Sequence, residues 1–248
     1  MNKPDNITDN DWKLLQEKYN NMDKIVELLD LHYPVQYLIG YVNFYGYDIK
    51  VNKNVLIPRF ETEGLLEGTI KLIKKYNLNN SQVLDIGTGS GCIPIVLKSE
   101  IPELHITSID ISNKALRVAK KNSREKHLDI TYINKSVFKY KPINKYGVLI
   151  SNPPYVDINE DVDPQIKFEP QNAIYAKDNG LEFYKYIINN YDKYMTEEFI
   201  MAFEIGATQG KELIKIAKEK YKDATIKVEK DLAGLDRYLY IIQNSIEK

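Results

Sequence analysis

The sequence has one cysteine and one tryptophan in 248 residues, and no surplus of either charge sign. A single cysteine excludes an internal disulfide and a cysteine-based zinc site. The three histidines, His32, His105 and His127, are too far apart for a local metal-ligand motif, so no metal is expected. Basic residues number 34 and acidic residues 35, a formal net charge of −1. That balance argues against a protein held to nucleic acid by charge, so direct nucleic-acid binding is not expected. No run approaches the roughly 18 consecutive apolar residues of a spanning helix, and no membrane association is expected. The first ten residues are polar, unlike a signal peptide, which makes the cytoplasm the expected location. Repeats and low-complexity tracts are absent too. What is present is 43% hydrophobic and 28% charged residues, the composition of a folded chain long enough to bury a core without covalent staples.

Along the chain, Trp12, Leu15, Tyr19 and Met22 recur at three- and four-residue steps, followed by Ile25, Leu28 and Leu29. This spacing predicts one helix over residues 9–31, ended by Pro34, with its apolar stripe packed on the remainder of the protein or presented in part to a protein partner. The β-prone residues Val42, Phe44, Tyr45, Tyr47, Ile49 and Val51 around Gly46 predict a hairpin over 41–51. Residues 55–59 form a connector, and 62–76 a helix. From Gln82 the rhythm becomes short apolar strands, at 82–86, 106–109, 130–133, 148–150 and 199–203. Helices are predicted between them at 113–123 and 181–191, then a helix at 209–221 and strands at 225–229 and 238–242. Such alternation specifies an α/β fold, a mostly parallel sheet with helices on both faces. Sites in such folds lie beyond the carboxyl ends of the strands.

The strand at 82–86 runs into Asp85-Ile-Gly87-Thr88-Gly89-Ser90-Gly91-Cys92, and a helix follows. Glycines permit a tight turn and close approach of a ligand to the backbone. The helix start offers free N–H groups. The spacing is G-x-G-x-G, which is neither the dinucleotide pattern nor a P-loop. Asp110 ends the next strand, where a carboxylate can accept from both hydroxyls of a ribose. Together these features resemble the cofactor site of class I S-adenosylmethionine-dependent methyltransferases. The resemblance implies a Rossmann-like sheet and S-adenosyl-L-methionine as cofactor. It also implies cofactor contacts from Asp85, Gly87, Thr88, Gly89, Ser90, Gly91, Asp110 and, at the end of the fourth strand, Asn152. By the same alignment Val137 and Phe138 lie near the adenine, unless they serve ordinary packing. Ser136 stands where that family often has an acid.

The fourth strand ends in Ser151-Asn152-Pro153-Pro154-Tyr155. Two prolines fix φ and stiffen the backbone. The Asn152 side-chain oxygen and the Pro153 carbonyl can each accept one hydrogen of a planar NH₂ group. Both an amide and adenine carry such a nitrogen, and Tyr155 can cover the flat face of either. Orienting the nitrogen for in-line methyl transfer needs neither a metal nor a covalent intermediate. Asn152, Pro153 and Tyr155 are therefore the catalytic candidates.

N-P-P-Y resembles the motif of methyltransferases acting on amide or exocyclic nitrogen. The flanking segments 34–40, 57–63, 168–170 and 180–184, Glu204-Ile-Gly206 with Gln209, and 234–237 resemble the release-factor glutamine-N5 methyltransferase family. That resemblance runs from about Pro34 to the C-terminus. It implies methyl transfer to the glutamine amide in the Gly-Gly-Gln motif of peptide-chain release factors, which are then the protein partner. Arg59, Asn152, Pro153, Pro154, Tyr155, Phe168 and Glu169 are the implied substrate contacts. Arg59 and Glu63 read equally as a paired surface set, Phe168–Glu169 as plain loop, and Glu204 as site or as support. A nucleic-acid adenine N6 methyltransferase and a glutamine methyltransferase for a ribosomal protein are the alternatives. The implied division is a reduced helical segment at 1–33, a β-hairpin linker at 34–54 and the catalytic domain at 55–248. The family usually has several helices before the hairpin, where this sequence has about 33 residues.

Overall fold

The computed structural model describes residues 3–5, 7–160 and 162–244. The helix predicted over 9–31 is two helices, α1 (Asp9–Lys18) and α2 (Met22–Asp30). The Asn21 side chain accepts from the Lys24 amide and starts α2 afresh, an N-cap preference that outweighs the continuing apolar period. Pro34 then opens an unexpected short helix, α3 (Val35–Ile39), which Gly40 ends at φ +96°. The Lys18 Nζ donates to the Leu38 and Ile39 carbonyls at 2.9 and 2.7 Å, and the Tyr19 hydroxyl donates to Leu38 at 2.8 Å. Trp12, Leu15, Ile25, Leu29, Leu38 and Ile39 form a small core among these three helices. The stripe on α1 is thus buried within this segment.

The hairpin is present as β1 (Tyr41–Phe44) and β2 (Tyr47–Lys50). Phe44 and Ile49 point into the main core beneath it. After α4 (Phe60–Lys75) the elements alternate as the sequence predicts: β3 (Gln82–Ile86), α5 (Cys92–Glu100), β4 (His105–Asp110), α6 (Asn113–Glu125), β5 (Thr131–Asn134), β6 (Tyr146–Ser151), α7 (Glu182–Asn190), β7 (Met195–Glu204), α8 (Gly210–Lys220), β8 (Thr225–Lys230) and β9 (Asp236–Gln243). The seven-stranded sheet has the order β5-β4-β3-β6-β7-β9-β8. The first five of these strands run parallel, while β9 is antiparallel to both β7 and β8. One face packs on α4, α5 and the hairpin through residues such as Leu65, Leu66, Ile95 and Val96. The other packs on α7 and α8 through Tyr184, Ile187, Ile188 and Leu213. Among the described residues, no helix is long and apolar enough to cross a membrane.

The topology decides where a ligand can sit. The chain steps outward from β3 to β4 and β5, then returns to lay β6 on the other side of β3. The crossovers on either side of β3 leave in opposite directions, opening a crevice at the carboxyl ends of β3 and β6.

Candidate active site

The turn after β3 is held by its own backbone. The Gly87 and Thr88 amides donate to the Ile109 carbonyl at 2.9 and 3.2 Å, and the Gly91 amide to Thr88 at 2.8 Å. Gly87, Gly89 and Gly91 all have positive φ, and a Cβ on Gly91 would lie 3.0 Å from that of Ala119 on α6. The Gly89 amide donates to one Asp110 carboxylate oxygen at 2.9 Å, and the Ser112 amide to the other at 2.7 Å. Asp110 thereby ties the turns after β3 and β4 together, and each oxygen keeps a second acceptor position. Burial raises the Asp110 carboxyl above its ordinary range, while these two donors oppose the shift. Asp85, in β3 just before the glycine turn, is fully buried, and neither of its carboxylate oxygens has a hydrogen-bond partner. Burial pushes it up to about 7; the neighbouring Thr88 and Ser108 hydroxyls offset part of that without forming bonds of normal geometry.

Ser151 clips β6 to β3 by donating to the Ile86 carbonyl at 2.7 Å, so Asn152 emerges beside Gly87. The Asn152 Nδ2 donates to the Thr62 hydroxyl at 3.1 Å, and Thr62 donates to Glu204 Oε2 at 2.6 Å. The Tyr155 hydroxyl donates to Glu204 Oε1 at 3.2 Å. Glu204 is 1% exposed, and burial raises its carboxyl against the pull of Thr62, Arg237 and Tyr155. The Gln209 side-chain Nε2 donates to the Tyr155 carbonyl at 3.0 Å. A Cβ on Gly180 would lie 2.0 Å from that same carbonyl, and Gly180 has φ +80°, so glycine is required for this approach.

Two cavities meet at the end of β6. The larger, about 240 Å³, lies over the carboxyl ends of β3, β4 and β6, and Gly87, Gly89, Asp110, Val137, Phe138 and Phe183 contribute to its walls. The smaller, about 80 Å³, has Arg59, Tyr155, Ile174 and Glu204 in its wall. Leu56, Asn152, Pro153 and Ala173 line both. The Tyr191 and Tyr186 hydroxyls donate to the Val137 and Phe138 carbonyls, each at 2.9 Å, which pins that wall to α7.

Of the residues singled out in the sequence, Gly87, Gly89, Asp110, Val137, Phe138, Asn152, Pro153 and Pro154 come together on the larger cavity. Arg59, Asn152, Pro153 and Tyr155 come together on the smaller one. Asp85, Thr88, Ser90 and Gly91 line neither; all four are buried, Asp85 in β3 and the others in the turn itself. Phe168 and Glu169 also line neither. The Phe168 ring packs edge-on against Tyr33, with centroids 5.2 Å apart. The buried Glu169 carboxylate accepts from the Ile57 amide at 2.8 Å and pairs with the Arg59 guanidinium. Glu63 accepts from the Tyr45 amide at 2.7 Å and so fastens the hairpin turn to α4. Thr62, Leu56, Ala173 and Phe183 were not among the sequence candidates. Thr62 stands between Glu61 and Glu63 at the start of a helix, where threonine is an ordinary residue. Its partners Asn152 and Glu204 are 90 and 142 positions away.

Residues 59–169 match the methyltransferase small domain family. A release factor glutamine methyltransferase from Flavobacterium psychrophilum is 35% identical over 250 residues, spanning 97% of this chain and 86% of that protein. Among solved structures, a methyltransferase from Pyrococcus furiosus aligns over 90% of this chain and 100% of its own, with a TM-score of 0.58 at 14% identity. A plantazolicin methyltransferase in complex with SAH aligns over 74% and 84% of the two chains, with a TM-score of 0.53 at 12% identity. At these identities the structural matches show a shared fold.

Proposed function

The chain belongs to the release factor glutamine methyltransferase family, and we propose that it transfers a methyl group from S-adenosylmethionine to the glutamine side-chain amide in the Gly-Gly-Gln motif of peptide-chain release factors. The observation that carries this reading is the meeting of two cavities at Asn152 and Pro153. A transferase needs two substrates to touch at one point, and this point carries acceptors for an NH₂ group.

The larger cavity suits an adenosyl group chemically. Val137, Phe138 and Phe183 offer apolar walls for a purine. Asp110 keeps an acceptor position on each oxygen for two ribose hydroxyls, and the glycine turn brings backbone close to the amino-acid end. The fold neighbour solved with SAH supports the same assignment. When bound, S-adenosylmethionine supplies an electrophilic methyl group on a sulfonium centre. In this reading Asp85, Thr88, Ser90 and Gly91 shape the turn.

In the smaller cavity the Asn152 Oδ1 and the Pro153 carbonyl each accept one N–H of the acceptor amide. An amide nitrogen is a poor nucleophile because its lone pair is delocalised into the carbonyl. Two preorganised acceptors aim the nitrogen and stabilise the positive charge that develops on it. The aimed nitrogen would bond to the methyl carbon as the carbon–sulfur bond broke, the electron pair of that bond staying with sulfur as a neutral thioether. The resulting N-methyl amide cation is strongly acidic and gives its extra proton to water. Tyr155 lies against the flat face of the amide, and Pro154 keeps the segment rigid. Arg59, held by Glu169, supports the wall on the substrate side.

The test is methyl transfer from labelled S-adenosylmethionine to a purified release factor, to the same factor with its Gly-Gly-Gln glutamine replaced, and to DNA and RNA. Label is expected only on the intact factor. Asn152→Ala is expected to slow transfer at least about a hundredfold with cofactor affinity nearly unchanged, the scale of losing one preorganised transition-state contact. Label on nucleic acid instead, or a folded Asn152→Ala enzyme at wild-type rate, overturns the reading.

A further inference from the structure

We propose that Thr62 is a positioning residue that sets the direction of the Asn152 amide, so that its oxygen and not its nitrogen faces the acceptor. The proposal rests on the role given to Asn152 above. An asparagine side chain has two nearly isosteric ends, one accepting and one donating. Only the accepting end can bind an N–H of the acceptor amide. A flipped Asn152 would present hydrogens to hydrogens and disable the clamp while leaving its shape intact.

The direction is fixed by a proton count. The Thr62 hydroxyl has one hydrogen and two lone pairs. Its oxygen lies 2.6 Å from Glu204 Oε2. Against the burial that raises the Glu204 carboxyl, the hydroxyls of Thr62 and Tyr155 and the charge of Arg237 favour its ionised form, and in that form Glu204 only accepts. The hydroxyl hydrogen therefore points to Glu204. Towards Asn152, 3.1 Å away, Thr62 has only a lone pair to offer. The end of Asn152 that faces it must be Nδ2, which leaves Oδ1 at the other end of the amide. Glu204 is held in turn: its Oε1 accepts from Tyr155 at 3.2 Å and its backbone carbonyl from Tyr184 at 2.6 Å. Thr62 is 2% exposed, so water does not compete for its single donor and erase the directionality. The relay joins three elements, running from the end of β7 through the first turn of α4 to the end of β6.

The test compares Thr62→Val, which keeps the shape and removes the hydroxyl, with Thr62→Ser, which keeps the hydroxyl. Thr62→Ala is the second deletion should the valine variant not fold. In the full chain with saturating S-adenosylmethionine, the deletion variant is expected to lose about tenfold or more in kcat, with KM for the release factor within about threefold, because the lost contact is made in the transition state. Thr62→Ser is expected to stay within about threefold of wild type. Combined with Asn152→Ala, the deletion is expected to add no further loss, since a relay with no terminus has nothing to orient. The side-chain NH₂ resonances of Asn152, identified by their loss in Asn152→Ala, are expected to exchange faster with water in the deletion variant. Wild-type kcat in a folded deletion variant overturns the proposal, as does a serine variant as slow as the valine one, or an independent loss on top of Asn152→Ala. If Asn152→Ala itself keeps the wild-type rate, the clamp reading falls first and the proposal with it.

Discussion

At the end of β3 the Asp85 carboxyl is enclosed beside the Thr88 and Ser108 hydroxyls, and neither of its oxygens has a hydrogen-bond partner. Its charged form is therefore penalised in the folded protein and not in the unfolded chain. The folded carboxyl holds its proton up to about 7, against 3.8 as the reference value. Its contribution to stability is then fully present below pH about 4 and is lost as the pH rises through about 7. At 1.36 kcal/mol per pH unit the loss is at most about 4 kcal/mol. Asp110 and Glu204 are raised in the same direction, so the informative quantity is a difference. Urea unfolding of the wild type and of Asp85→Asn, followed from pH 4 to pH 8, is expected to show the variant gaining on the wild type as the pH rises. Parallel pH profiles would mean that the buried carboxyl finds compensation in the folded state. Residues were legible in the sequence where chemistry imposes a fixed local spacing. The glycine turn, Asp110 at the next strand end and Asn152 to Tyr155 are of that kind. Thr62 was not legible, because its meaning lies in which of its two partners is a carboxylate, and both partners are distant in sequence.

Among the elements, α4 lies unusually close to β9. A Cβ on Gly64 would fall 2.1 Å from the Tyr238 hydroxyl, and one on Gly68 would fall 2.0 Å from that of Tyr240. The two glycines are one helical turn apart and the two tyrosines share one face of the strand, so the pairs interlock. Replacing a mid-helix glycine with alanine ordinarily gains about 1 kcal/mol in helix propensity. Here the sign is expected to reverse. Tyr240 is fully buried, so its ring cannot swing out into solvent. Overpacking costs about 1–3 kcal/mol, which outweighs the propensity gain. Gly68→Ala is expected to lower the unfolding midpoint, and adding Tyr240→Phe is expected to recover part of the loss by vacating the hydroxyl's volume. A Gly68→Ala protein as stable as wild type would show that the interlock is loose. In the sequence these glycines only weaken a predicted helix, while their partners lie more than 170 positions away. The inner strands β3, β4 and β6 were legible because strands buried on both faces read as apolar runs. The start of β7 was hidden by the polar Thr196-Glu197-Glu198, and the break between α1 and α2 by an apolar period that continues across it. The hairpin emerged from its β-branched and aromatic residues around Gly46.

For the whole molecule, the question is how far the N-terminal helices reach into the chemistry. Their apolar residues mostly face one another: Trp12, Leu15, Ile25 and Leu29 pack with Leu38 and Ile39 of α3. The links to the body run through the residues that follow α2. The Tyr37 hydroxyl donates to the Val55 carbonyl at 2.6 Å, and Tyr33 stacks edge-on with Phe168. Asn152, Thr62, Tyr155 and Glu204 are held instead by α4, β6 and β7. Deleting residues 1–30 removes Lys18 and Tyr19 from the carbonyls of α3 and uncovers Leu38 and Ile39. A loss of stability is therefore expected, together with a raised KM for release factor from disturbance near Tyr33 and Phe168. The step at Asn152 should remain, because no group holding it has been removed. Single-turnover methyl transfer at saturating substrate is accordingly expected to stay within about threefold of wild type, the pattern of lost binding without lost transition-state contacts. Circular dichroism establishes that the truncated protein is folded before the rate is read. If the saturated rate falls more than about tenfold in a folded protein, binding alone does not account for the loss. The Tyr33–Phe168 contact would then have to set the geometry of the Arg59–Glu169 wall, and the N-terminal helices would be part of the active site.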